Sequence, residues 1–212
     1  MKSRILLLSL ASVTAAHAQA DKFPPMPAVQ AQTPQQAAKS FQLPPGYRME
    51  LVLSEPEITD PVVTAFDGNG RMFVAEMRTY MQDIDGNGQR KTASRISLHT
   101  DTNGDGTYDK HTVFVDNLML PRMILPLGKG QIVVNETDTL DLYLYTDTND
   151  DGVSDKKELW WQGGPRGGNL EHQPSGLIWA IDNGIYTTYN SFRLRWTPNG
   201  IRKEETKAND GL

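Results

Sequence analysis

Beyond the first sixty residues, the apolar positions of this chain fall in short runs, and nearly every run is closed by Asp, Asn, Gly or Pro. Segments 62–66 and 71–77 flank Asp67-Gly68-Asn69-Gly70, and 123–127 and 131–135 flank Gly128-Lys129-Gly130. Segments 177–181 and 185–189 flank Asp182-Asn183-Gly184, and 193–197 and 201–205 flank Pro198-Asn199-Gly200. Two further pairs, 95–99 with 112–115 and 141–145 with 158–161, enclose longer Asp/Asn/Gly loops. Runs of this length punctuated by turn residues predict antiparallel hairpins. No segment carries a convincing amphipathic helical repeat, so the pattern predicts an all-β domain. An additional strand is expected at 47–54, after the Pro44-Pro45-Gly46 turn.

The predicted strands fall into fours, and the fours repeat. RISLHTDTNGDGTYDKHTVF aligns with LYLYTDTNDDGVSDKKELWW at an offset of 46 residues, pairing Leu98 with Leu144, Asp101 with Asp147 and Gly106 with Gly152. A four-stranded unit of roughly 40–50 residues is the signature of a β-propeller blade. Three units are visible, at about 62–116, 121–162 and 175–205. Since propellers typically need about four to eight blades to close, the expectation is the N-terminal part of a larger propeller. Segment 47–54 would then be an outer strand closing the ring. An open β-solenoid ranks well below that reading.

The N-terminal region has a different character. Lys2 and Arg4 precede the apolar run 5–13, and Ala16-His17-Ala18 is a small-x-small cleavage pattern. That arrangement reads as a secretory signal peptide over 1–18, followed by a Gln-, Ala- and Pro-rich flexible leader over 19–40 and the folded part over 41–212. The expected location is periplasmic or secreted. No later apolar run is long enough for a membrane-spanning helix.

Composition narrows the chemistry. The sequence has 212 residues, no cysteine and a formal net charge of −5. Without cysteine, the chain carries no disulfide, Cys-ligated zinc, iron–sulfur cluster or CxxCH haem attachment. The acidic balance argues against binding a nucleic-acid backbone, which needs clustered Lys and Arg.

The repeated loops place oxygen ligands at alternating positions: Asp101, Asn103, Asp105 and Asp109 in the first, Asp147, Asn149, Asp151 and Asp155 in the second. Gly106 and Gly152 stand at position six, and the carbonyls of Thr107 and Val153 at position seven. Calcium takes six to eight oxygens from loops of this kind. The second loop adds Glu158 at position twelve, where the first has Thr112. Strands flank both loops, so these are not EF-hands. The competing reading is a metal-free hairpin closed by Asx turns.

His172 lies in a Gly- and Pro-rich stretch between the second and third units. In an up-and-down blade the inter-blade links and the second-to-third strand loops share one face. The third-to-fourth strand loops, which hold the calcium-type pattern, lie on the other. Calcium is therefore expected to be structural. The His172 face also receives Met77, Arg78, Tyr80, Asn135, Glu136, Arg166, Asn169, Asn190 and Arg193, a polar funnel suited to a small molecule.

Three stretches carry a resemblance to a known family: LPPGYRMELVLSEPEITDPVVTAFDGNGRMFVAEMRTY, RISLHTDTNGDGTYDKHTVFVDNLMLP and GNLEHQPSGLIWAIDNGIYTTYN. Together they resemble the N-terminal propeller of the bacterial membrane-bound dehydrogenase family, related to the soluble quinoprotein glucose and sorbosone dehydrogenases. The resemblance covers about residues 41–200 and implies a six-bladed propeller. It also implies pyrroloquinoline quinone (PQQ) as cofactor, a sugar or alcohol as substrate and a cytochrome as electron acceptor. His172 is similar in position to that family's general base, and Arg166, Asn169 and Arg193 are the candidates for holding the quinone. Haem c would belong to a separate C-terminal domain. The rival expectation is a non-catalytic, calcium-stabilised propeller that binds glycans or proteins.

Overall fold

The computed structural model describes residues 28–206, so the proposed signal peptide lies outside the described residues. Twelve strands form three consecutive antiparallel meanders. The first contains β1 (Pro61–Phe66), β2 (Met72–Glu76), β3 (Ser94–Thr100) and β4 (Lys110–Leu118). The second contains β5 (Met123–Gly128), β6 (Gln131–Asn135), β7 (Leu142–Thr146) and β8 (Lys156–Trp161). The third contains β9 (Gly176–Trp179), β10 (Ile185–Thr187), β11 (Phe192–Thr197) and β12 (Gly200–Glu205). Within each meander every strand pairs with its sequence neighbour.

The first strands of the meanders lie side by side. β1 packs against β5, and β5 meets β9 in parallel at Met123 and Gly176. That is the arrangement of inner strands around a propeller axis, with each meander a blade. Among the described residues the fold is nearly all β, as three four-stranded propeller blades.

The middle blade is buried on both faces, and its sequence shows why. In the run Gln131-Ile132-Val133-Val134-Asn135, alternate side chains point to opposite sides of the sheet. Ile132 and Val134 join Phe73, Ile96, Leu98 and Phe114 in the core between the first and second blades. Val133 joins Met123, Leu142, Leu177, Ile185 and Leu194 in the core between the second and third. A strand covered on both faces needs a continuous apolar run rather than alternation. Phe73 and Phe114 meet edge to face with centroids 5.0 Å apart, a favourable aromatic geometry.

Two expectations near the N-terminus are corrected. Segment 47–54 is irregular rather than a strand. What pins the stretch just after it is polar. Glu76, fully buried, accepts the Thr59 backbone N–H at 2.9 Å and Arg95 Nε–H at 2.8 Å, while Met77 N–H donates to the Asp60 carbonyl. These bonds hold the segment to the first blade without a strand ladder. The stretch read as a flexible leader contains a short helix, α1 (Pro34–Ser40). Thr33 and Gln36 form a reciprocal capping box, and proline opens the first turn. Capping and a pre-set proline φ explain this turn despite the absence of an apolar stripe.

The burial pattern makes a stability prediction. Ile132 has no exposed surface, whereas Ile181 is fully exposed at the β9–β10 turn. Urea denaturation should show Ile132→Ala destabilised by about 2–5 kcal/mol, with Ile181→Ala close to wild type. Equal losses in the two variants would contradict the two-sided packing of the middle blade.

Candidate functional site

The connections sort into two opposite ends of the strands. At one end lie the β1–β2 turn and the two Asp/Asn/Gly loops. Tyr108 Oη–H donates to the Gly70 carbonyl at 3.3 Å, and Arg71 meets Asp150 at 3.5 Å. At the other end lie the β2–β3 excursion (77–93), the β4–β5 link, the β6–β7 loop and the long β8–β9 link. This second end is the mouth.

Asp138, in the β6–β7 loop, ties the mouth together. Its carboxylate accepts Arg90 Nε–H at 2.6 Å and Gln173 Nε2–H at 3.5 Å, and its carbonyl accepts the Arg166 backbone N–H at 2.9 Å. Gln173 is itself buried and returns a bond by accepting the Asp138 N–H at 3.3 Å. One residue thus joins the β2–β3 excursion to the β8–β9 link. Asn135 and Glu136 are also structural here. Asn135, buried, donates to the carbonyls of Thr139 and Asp141, and Glu136 accepts the Met119 N–H.

Two adjoining clefts open beside this hub. One, of about 340 Å³, lies between Val62, Val63, Met77, Tyr80, Arg122 and Glu171. The other, of about 280 Å³, shares Tyr80 and Glu171 and extends toward Arg90 and Asn169. Arg122, absent from the sequence-based candidates, forms part of the wall. Its Nε–H donates to Thr137 Oγ1 at 2.8 Å, and its Nη2–H to the Leu170 carbonyl. Burial lowers its pKa, although the nearby Tyr80 and Asp138 pull the other way.

The structure gathers three of the four proposed enzyme-site residues in the β8–β9 link. His172 ends a 3₁₀ turn, Leu170–His172. It is exposed, and among the described residues its imidazole has no hydrogen-bond partner. Among the described residues Arg166 makes one long side-chain bond, 3.5 Å to the His172 carbonyl. Asn169 caps the turn by accepting the Glu171 N–H at 2.9 Å.

The fourth, Arg193, lies away from this group. It sits on β11, bonded to Asp182, to Glu204 at 2.8 Å and to Tyr186 Oη at 3.1 Å. Arg195 and Arg202 complete the network on Glu204. The three guanidinium groups, Arg195 foremost, hold the Glu204 carboxyl down to about 2.

The Asp/Asn/Gly loops repeat one hydrogen-bond pattern. Asp101 Oδ2 accepts the Gly106 N–H and Asp147 Oδ2 accepts the Gly152 N–H, both at 2.8 Å. Asp105 accepts the Thr107 N–H and Asp151 the Val153 N–H, again both at 2.8 Å. Asp109 and Asp155 accept the Thr102 and Thr148 hydroxyls, each at 2.7 Å. Asn103 and Asn149 accept the N–H two residues ahead. Glu158 pairs with Lys156 at 2.9 Å along β8. Among the described residues no three His, Asp or Glu side chains converge as a cation site. Glycine is required at position 152: its φ is +87°, and a Cβ would lie 2.8 Å from Thr112 Oγ1.

The β11 network makes a pH prediction. Glu204 is depressed below the ordinary carboxylate value of 4.5. Its contribution to stability is therefore present above about pH 4.5 and fades as pH falls toward 2. Glu204→Gln should flatten the melting temperature against pH in that window. An unchanged acid profile would show that the network contributes nothing to stability.

Comparison with known proteins places the chain in a family. No curated protein matches the sequence. A crystal structure described as a "putative gluconolactonase" is similar over 74% of this chain and 51% of its own, with 13% identity and a TM-score of 0.49. This chain thus spans about half the length of that structure. Residues 33–209 match the model of the family described as "Domain of unknown function (DUF7133)", and the chain belongs to that family.

Proposed function

We propose that this chain is the N-terminal part of an exported, quinoprotein-type dehydrogenase that oxidises a sugar or alcohol at the propeller mouth. One observation carries the reading: the exposed His172 imidazole, without a hydrogen-bond partner among the described residues, stands in the link bordering the Tyr80–Arg122–Glu171 cleft. A general base needs a free nitrogen lone pair and access to the hydroxyl it deprotonates. The family resemblance read from the sequence supports the same residue in the same role.

Arg166, which makes no ion pair among the described residues, suits an anionic cofactor, and Asn169 adds an amide beside it. Arg193 is engaged by two carboxylates and is a weaker candidate for holding the quinone. Pyrroloquinoline quinone, when bound, supplies the hydride acceptor. The chain's own contribution is to position the hydroxyl and receive its proton on His172. A cytochrome would take the electrons onward.

In the full-length protein, His172→Ala should lower kcat by about 10²–10⁴ while leaving the melting temperature near wild type. His111→Ala, at the opposite end, is the matched comparison. Equal turnover of wild type and His172→Ala with reconstituted quinone would remove His172 from the mechanism.

Calcium belongs to the proposal as a structural ion at the other end. The donors fit in kind: Asp101, Asn103, Asp105, Asp109 and the Thr107 carbonyl in one loop, with Asp147, Asn149, Asp151, Asp155 and the Val153 carbonyl in the other. Glu158, held by Lys156, is the least suited. A ligand that binds only the native state at a hundredfold excess over Kd contributes about 2.7 kcal/mol. Calcium should therefore raise Tm, and Asp105→Ala combined with Asp151→Ala should abolish the rise. The same melting curve in calcium and in chelator would reduce the loops to Asx-turn hairpins.

A second reading, a non-catalytic glycan-binding propeller, is favoured by a different feature. Trp196 stands 6.1 Å from Trp160 and 6.0 Å from Trp179, and Trp179 and Trp196 are each more than two-fifths exposed. Exposed indole faces suit sugar rings, and loss of glycan binding in Trp179→Ala without any quinone dependence would favour this reading.

A further inference from the structure

Arg122 is a half-buried cation without a carboxylate partner. Among the described residues it makes no ion pair. Nε and Nη2 are committed to neutral acceptors, Thr137 Oγ1 and the Leu170 carbonyl. Nη1 has no bond among the described residues, and the residue lines the cleft of about 340 Å³. Tyr80 and Asp138 act on it electrostatically, but the Asp138 carboxylate is occupied by Arg90 and Gln173. Glu171 lines the same cleft and forms no ion pair with Arg122.

A desolvated guanidinium is costly unless a charge compensates it. The two neutral bonds hold this one in place and leave Nη1 for a ligand in the cleft that the residue lines. Planar guanidinium groups favour carboxylates, whose oxygens match their fork of N–H donors. We infer that the mouth cleft binds a small carboxylate-bearing ligand through Arg122, with Tyr80 and Glu171 available to its hydroxyl groups. This rests on the mouth being the ligand site and names its ligand class. The carboxylate has two possible sources: an acidic sugar acting as substrate, or the quinone itself. Binding is independent of turnover, so the two ideas fail separately. A chain that binds carboxylates but oxidises nothing defeats the dehydrogenase reading alone. An active chain indifferent to Arg122 defeats this inference alone.

The test is calorimetric binding to the full chain in low-salt buffer, using glucuronate, glucose and pyrroloquinoline quinone as probes. Glucuronate and glucose share a ring and differ in the carboxylate. Preference for glucuronate identifies an acidic sugar, and binding of the quinone alone identifies the cofactor as the source. In either case Arg122→Gln should weaken binding at least about tenfold, as expected for losing a charged hydrogen bond. Arg122→Lys should recover part of that loss, because it restores charge without the planar fork. If Arg122→Gln fails to fold, the wild-type comparison decides. Binding of neither carboxylate, equal affinity for glucuronate and glucose without quinone binding, or unaltered binding in a folded Arg122→Gln would overturn the inference.

Discussion

The structure depends on one packing constraint: the middle blade must be covered on both faces at once. Ile132 and Val134 face the first blade, while Val133 faces the third. Burying each such side chain contributes roughly 1.5–3 kcal/mol relative to exposure. A slip of one residue in β6 would exchange the two sets and place Gln131 and Asn135 in the wrong layers. The ladder from Gln131–Thr146 to Asn135–Leu142 fixes that register. With register fixed, the ends of the strands are fixed, and so is the division between the mouth and the Asp/Asn/Gly end.

That division separates two kinds of chemistry. At the Asp/Asn/Gly end, short-range bonds dominate: Asp101, Asp105, Asp147 and Asp151 satisfy backbone N–H groups of their own loops. Such loops are locally determined and repeat because their sequence repeats. At the mouth, long-range bonds dominate. Asp138 reaches Arg90, 48 residues away, and Arg122 reaches Leu170, also 48 residues away. The mouth therefore exists only where the blades are packed together. Its polar groups come from connections that carry no common motif.

This difference explains what the sequence disclosed. The hairpins were readable because the turn residues stand at their ends; the three units begin and end within two residues of the reading, at Pro61–Leu118, Met123–Trp161 and Gly176–Glu205. The opposition of His172 to the Asp/Asn/Gly loops follows from counting strands. Arg122 was not readable, because Leu120-Pro121-Arg122-Met123 shows nothing of the Thr137 and Leu170 acceptors. Its signal is burial without an anion, which requires coordinates. At position twelve of the second loop the spacing alone did not show that Glu158 lies on an extended strand, where its side chain pairs with Lys156. The helix at Pro34–Ser40 was hidden because its evidence is a capping box rather than an apolar period.

The central claim is that function resides at the mouth, bordered by Tyr80, Arg122, Glu171 and His172. Amide chemical-shift mapping of the labelled chain during titration with glucuronate tests it most directly. The account predicts the largest perturbations in the β4–β5 link around Arg122 and in the 169–173 turn, with little change in loops 101–109 and 147–155. Perturbations centred on Trp179 and Trp196, or on the Asp/Asn/Gly loops, would contradict it.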